Sequence, residues 1–253
     1  MPQTHALQVL RVRLFGGLSL AWDIVPVPTI PSTAARSLLA YLLVHRDRAY
    51  DRGQLTSTYW PALPKNRACR RLDQMLSQIG HAVQRGSPTP IFLIGGDAIQ
   101  FNPELPLWLD LQEFTIHQEQ CTSEQDSLWH CERCINLYQG PFLEGYADDW
   151  IVARREQLRQ TFLSTLGHLI KEYTALGQYE RALAHANRLA AEDPRREKAH
   201  QEVMRLYHLL GRDAEALQQY EICQKILSEQ LGAEPAPETA ALAADIASRS
   251  RLP

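Results

Sequence analysis

Apolar residues change their spacing along the chain. The front part mixes alternating and helical periods, and the rear part keeps a helical period throughout. Gln8 to Phe15 is rich in β-formers, Gly16-Gly17 turns, and Leu18 to Trp22 returns, while Pro26 and Pro28 break any helix. A small antiparallel sheet is expected there. Pro31-Ser32 sets up an N-cap before Ala34, Ala35, Leu38, Leu39, Leu42 and Leu43, whose three-and-four steps predict an amphipathic helix to about His45. Asp51 and Gln54 stand in capping-box spacing ahead of Leu55, Tyr59 and Trp60, and Pro61 closes this short second helix. A third helix opens after Pro64 and runs to about Gln84, with Ala68, Leu72, Leu76, Ile79 and Val83 on one stripe. Ile91 to Phe101 reads as a hairpin turning at Gly95-Gly96-Asp97. A sheet, three helices and a closing hairpin are the parts of a winged helix-turn-helix.

From Leu109 onward the strand pattern is lost and an internal repeat appears. At an offset of 34 residues Tyr173 meets Tyr207, Gly177 meets Gly211, Ala182 meets Ala216 and Leu183 meets Leu217. This is tetratricopeptide spacing. In the first unit Leu166, Tyr173, Gly177, Tyr179, Ala182 and Pro194 suit a helical hairpin: small residues where helices approach, aromatics between them, and a proline to stop the second helix. The second unit keeps Tyr207, Gly211, Ala216 and Tyr220 but has Ser228 in place of the proline. Two units are too few for a stable stack, so helices between Leu111 and Leu166 are expected to supply further layers. The expected fold class is therefore an α+β winged helix-turn-helix over residues 1–105, followed by an all-α tetratricopeptide-like repeat domain over residues 106–253.

Charge adds an asymmetry across that boundary. Residues 1–105 hold 11 Lys/Arg against 6 Asp/Glu, net +5, whereas the remainder holds 15 against 23, net −8. A mildly basic half joined to an acidic half suits a nucleic-acid reader tethered to a protein-contact module. The longest apolar run, Leu38 to Val44, is too short to span a bilayer, and the alternating N-terminus does not look like an export signal, so a cytoplasmic location without membrane contact is expected. The five irregularly spaced cysteines, Cys69, Cys121, Cys131, Cys134 and Cys223, read as reduced thiols.

The candidate chemistry lies on the third helix. At 100° per residue the face opposite its apolar stripe collects Arg67, Arg70, Gln74, Ser77, Gln78 and His81, with Arg71 beside it. Arg and Gln can read base edges of double-stranded DNA bidentately, while Lys65 and Arg71 would hold phosphates. Further phosphate contacts are expected from Arg36, Arg52 and Thr56 near helix starts. Cys131-Glu132-Arg133-Cys134, with His130 adjacent and Cys121 and His117 upstream, invites a metal reading. A second well-spaced pair is missing, so buried reduced cysteine is the commoner explanation and no metal or cofactor is expected. Phosphate loops, H-E-x-x-H and G-x-S-x-G are absent, and the adjacent Asp148 and Asp149 would diverge on a helix, so an enzyme is not expected. Tyr173, Tyr179, Tyr207 and Tyr220 serve first as interhelical packing, with a groove for a peptide or small effector as the alternative.

Both halves together resemble the bacterial transcriptional activator domain (BTAD) family found in antibiotic-regulatory (SARP-type) regulators. The most specific pieces are Leu137-Tyr138-Gln139-Gly140-Pro141-Phe142-Leu143-Glu144-Gly145, Trp150 followed by Ala153-Arg154-Arg155-Glu156, and Leu231-Gly232-Ala233-Glu234-Pro235-Ala236-Pro237-Glu238-Thr239. In the front half, Ala35 to Leu43 and Leu55 through Trp60-Pro61 are similar to the OmpR-type winged helix of that family. The resemblance implies a sequence-specific activator that binds direct repeats at a promoter and contacts RNA polymerase. This chain departs from the pattern in three places: Asp73 flanks the exposed face, Gly80 weakens the helix, and Leu93 to Asn102 contains no Lys or Arg. With so few cations, binding to DNA is expected to rely on pairing of protomers, a homodimer at least on DNA. Two other readings stay open: an adaptor that keeps the winged helix as a scaffold, and a sensor in which an effector on the repeats gates DNA binding.

Overall fold

The computed structural model describes residues 8–84, 89–121 and 126–249, and these form two compact units. The first comprises residues up to Thr115 together with Leu137–Glu156; the second comprises Ile116–Asn136 and Gln157 onward. The division differs from a single cut at 105/106, because strand pairing and aromatic packing draw later segments into the first unit.

In that unit β1 (Leu10–Arg13) pairs antiparallel with β2 (Ser19–Trp22), which pairs with β3 (Val25–Pro26). Gly16 and Gly17 make the turn at φ of +79° and +116°, values that suit glycine. Then come α1 (Thr33–Val44), β4 (Tyr50–Asp51), α2 (Arg52–Tyr59), α3 (Lys65–Val83) and the hairpin β5 (Phe92–Gly95) and β6 (Ala98–Phe101), with β4 paired to β6. The expected caps are present: Ser32 accepts from the Ala35 N–H, and Asp51 and Gln54 close a capping box.

Strand β7 (Leu107–Leu109) had no counterpart in the apolar pattern; it lies parallel to β1, with Leu10 opposite Leu107. The following α4 (Asp110–Gln120) places Phe114 against Phe15, ring centroids 5.1 Å apart, and Tyr138 lies 5.0 Å from Phe15 on another side. Backbone bonds from Gly16 to Pro141 and from Leu143 to Leu14 continue this edge. Arg155 fixes the turn beyond it by donating to the carbonyls of Phe142, Leu143 and Tyr146 at 2.7, 2.6 and 2.8 Å. The distinctive Leu137–Gly145 and Ala153–Glu156 segments thus hold each other through charge-assisted bonds.

The second unit is helical, with α5 (Ser127–Leu137), the part of α6 (Asp149–Ala175) from Gln157 onward, α7 (Tyr179–Glu192), α8 (Glu197–Leu209), α9 (Asp213–Leu231) and α10 (Pro237–Arg249). The repeat is visible in backbone geometry. Gly177 and Gly211 adopt φ of +70° and +72°, and Gln178 and Arg212 donate to the carbonyls five residues back, each at 2.9 Å. This is the left-handed helix stop that glycine permits. Ala182 and Ala216, one repeat apart, are both fully buried. With Pro194 beyond its end α7 has 14 residues, whereas α9, with Ser228 instead, has 19. The buried His200 locks the Pro194 turn: Nε2 donates to the Pro194 carbonyl at 2.8 Å and Nδ1 accepts from Gln219 at 2.6 Å. Glu197 accepts from the Ala236 N–H and the Thr239 hydroxyl, at 2.9 and 2.6 Å, tying the 231–239 motif to α8. No helix among the described residues is long and apolar enough to cross a membrane.

Candidate nucleic-acid interface

Helix α3 presents the candidate face because its other side is anchored. Ala68, Leu72, Met75, Leu76, Ile79 and Val83 are buried. Burying such a stripe stabilises by about 1.5–3 kcal/mol for each large side chain. The Trp22 indole donates to the Val83 carbonyl at 2.8 Å, fixing the far end of the helix to the first sheet. Gln84 bonds Thr89 and Ile91, joining that end to the β5–β6 hairpin. At the other side of the hairpin the Arg52 N–H donates to Asp97, so α2 is docked to it as well.

The opposite side of α3 is free. Lys65, Arg67, Arg70, Arg71, Gln74, Ser77 and His81 are exposed, and no hydrogen bond or ion pair engages their side chains among the described residues. Four cations therefore stand within the first two turns of one rigid helix, followed by an amide, a hydroxyl and an imidazole. Long side chains of this kind, projecting from a fixed backbone, can reach base edges and phosphates.

The remaining sequence candidates are placed differently. Gln78 is half-buried, and its Oε1 has no partner among the described residues. Arg52 is spent on an ion pair with Asp73 that bridges α2 to α3. Arg36 is held by the Tyr146 hydroxyl, the Ile30 carbonyl and the Thr33 hydroxyl. Thr56 is only 5% exposed, and its hydroxyl donates back to the Arg52 and Gly53 carbonyls. Thr56 is thus turned back onto its own helix and Arg36 is engaged within the fold; of these partners only Tyr146, 110 positions from Arg36, is distant in sequence. The β5–β6 turn presents Leu93 and Ile94, 43% and 52% exposed, and no cation.

The cysteine and histidine group lies in the helical unit. Cys121, Cys131 and Cys134 are buried thiols, and His117 Nδ1 lies 3.0 Å from His130 Nδ1. Hydrogen bonding to Cys121, then burial, push the Cys131 thiol far above its usual range, which makes it a poor nucleophile. Among the described residues no group of three His, Cys, Asp or Glu is placed to hold a metal ion. Tyr173 is buried, donates to Glu132 at 2.9 Å and stacks on His185, while Tyr207 and Tyr220 pack against the Met204, Ala216, Ala243 and Ile246 core. These tyrosines have the interhelical role expected of them.

Comparison with known proteins gives four findings. A family model described as the bacterial transcriptional activator domain matches residues 109–247. The regulatory protein AfsR of Streptomyces griseus is 25% identical over 231 residues, covering 88% of this chain and 23% of that protein. The transcriptional regulatory protein EmbR of Mycobacterium tuberculosis is 23% identical over 240 residues, covering 90% of this chain and 61% of that protein. The chain thus spans less than two thirds of the length of either relative. The solved structure of M. tuberculosis EmbR in complex with a low-affinity phosphopeptide shares the fold, with a TM-score of 0.68 at 21% identity over 97% of this chain and 67% of that one.

Proposed function

The chain belongs to the bacterial transcriptional activator domain family, and from that premise we propose that it is a SARP-type transcriptional regulator that binds promoter DNA through α3. The observation that carries this reading is the exposed, unpaired face of Lys65, Arg67, Arg70, Arg71, Gln74, Ser77 and His81 on a helix anchored along its other side. In this reading residues 1–105 are a winged helix-turn-helix and α3 is its recognition helix. Residues 106–253 are a tetratricopeptide-like activator domain that contacts RNA polymerase. Direct repeats at the promoter are occupied by a pair of protomers in the cytoplasm, because one protomer has too few cations to hold DNA alone.

Fluorescence anisotropy against the chain's own upstream region tests the proposal. Wild-type protein should bind that DNA in preference to a scrambled sequence, and Arg70→Ala combined with Gln74→Ala should weaken binding at least tenfold, since each base contact contributes about 1–3 kcal/mol. Both residues are exposed and unpaired, so the double variant should unfold at the same temperature as wild type. Equal, feeble binding to every DNA would instead favour a protein-interaction adaptor, the reading supported by the cation-free hairpin turn.

A further inference from the structure

The helical unit contains a cavity of about 400 Å³ lined by α6, α7 and α8. Its floor is apolar, from Ile170, Leu189 and Ala199, and its walls carry Lys171 on α6, Arg196 just before α8, and Lys198 in the first turn of α8. None of these three cations has a hydrogen bond or ion pair among the described residues. The one carboxylate at the rim, Glu202, is already engaged by Arg205 at 2.8 Å. The start of α8 has no side-chain cap, and the Glu197 carboxylate in its first turn is engaged by the Ala236 N–H and the Thr239 hydroxyl. All of this stands in a part of the chain whose net charge is −8, so an anion repelled by most of the surrounding surface would find a favourable field here.

Gly167 supplies an independent observation. It sits within α6, where glycine is less favourable than alanine, yet a Cβ built there would meet nothing within 4 Å. Close packing does not require the glycine. Its effect is to leave open the wall that Ile170, Lys171 and Thr174 continue at helical spacing.

We infer that this cavity is a docking site for an acidic peptide segment of a partner protein, one that places an apolar side chain on the Ile170–Leu189 floor and carboxylates against Lys171, Arg196 and Lys198. Cations on two walls around an apolar centre match a segment in which acidic and apolar residues are interleaved, and match a bare inorganic anion less well. The inference does not depend on DNA binding and is tested without DNA.

The probe is a fluorescein-labelled hexapeptide of two Asp-Glu-Leu units, titrated with the intact chain. Saturable binding is expected. It should fall at least tenfold in Lys171→Glu/Arg196→Glu, and also in Gly167→Leu, which narrows the cavity without altering its charge. A peptide with Asn and Gln in place of the acids should bind at least tenfold more weakly. Circular dichroism and the unfolding temperature show that the variants are folded, and Lys225→Glu, elsewhere on the unit, serves as a charge control that should leave binding unchanged. The inference is overturned if wild type does not bind, if the neutral peptide binds equally, if neither cavity variant weakens binding, or if Lys225→Glu weakens it as much. Concentration-dependent self-association abolished by the same cavity variants would assign the site to a second copy of the chain and overturn the partner assignment.

Discussion

Asp110 is buried to 2% exposure at the start of α4, where its carboxylate accepts from the N–H groups of Leu14, Phe15 and Leu111. Burial pushes its pKa up to about 6 from an ordinary 3.8, against the opposing pull of those donors. Between these two values the folded protein holds a proton that the unfolded chain has lost. Stability from this group is therefore greatest below the lower value, declines as pH rises through the window, and is flat above it, the whole change being at most about 3 kcal/mol. Urea midpoints measured from pH 4 to 7 should show this decline as a difference between wild type and Asp110→Asn, which cannot titrate; parallel curves would remove Asp110 as the cause. Gly140 makes a steric prediction. A Cβ there would lie 3.0 Å from the Gly16 Cα, and the obstruction is backbone. Gly140→Ala should therefore lower stability by about 1–3 kcal/mol, measured by denaturant unfolding. Both residues act through contacts with the β1 end of the chain, more than 90 positions away for Asp110, and no local pattern announces such a pairing.

At the scale of elements, what could be read from the sequence divides by the range of the interactions. Caps, the α3 stripe, the hairpin turn and the 34-residue repeat depend on neighbours within a turn or two, and each stands close to where the spacing places it. Strand β7 has three residues and only a partner 97 positions away to define it, so its period could not be read. The same limit applied to the site. The polar face of α3 follows from 100° geometry, whereas the Arg52–Asp73 pair joins two helices and appeared in the sequence only as an acid flanking a basic face. That pair sets up a prediction for α3 as a unit. Asp73 is 56% exposed on its side chain, so breaking the bridge costs about 0–1 kcal/mol. Asp73→Asn should nonetheless strengthen binding to the promoter fragment several-fold, because it removes an anion from the face and releases Arg52. Unchanged or weaker binding would mean that DNA approaches α3 from another side.

For the whole molecule, the uneven charge limits how DNA would be held in the proposed reading. The excess of positive charge in residues 1–105 is small, and the structure takes Arg52 and Arg36 out of the free pool, leaving Lys65, Arg67, Arg70 and Arg71 on α3. The β5–β6 turn adds none, which distinguishes this chain from a reader that anchors both helix and hairpin on the backbone. Counterion release converts that count into a measurable slope. If each of the four cations neutralises one phosphate, log K should fall against log salt with a slope of about −3.6 for one protomer and about −7 for two protomers on adjacent repeats. Titrations between 50 and 300 mM salt, on DNA carrying one half-site and then two, separate these cases. A slope near the smaller value on both DNAs would mean that protomers bind independently and that affinity comes from base contacts. A slope that doubles on the two-site DNA, together with an affinity above that of either half-site, would mean that pairing supplies the charge that a single α3 lacks. A slope well beyond the larger value would require cations outside α3, with Arg46 and Arg48, close to β4, the first to replace by alanine.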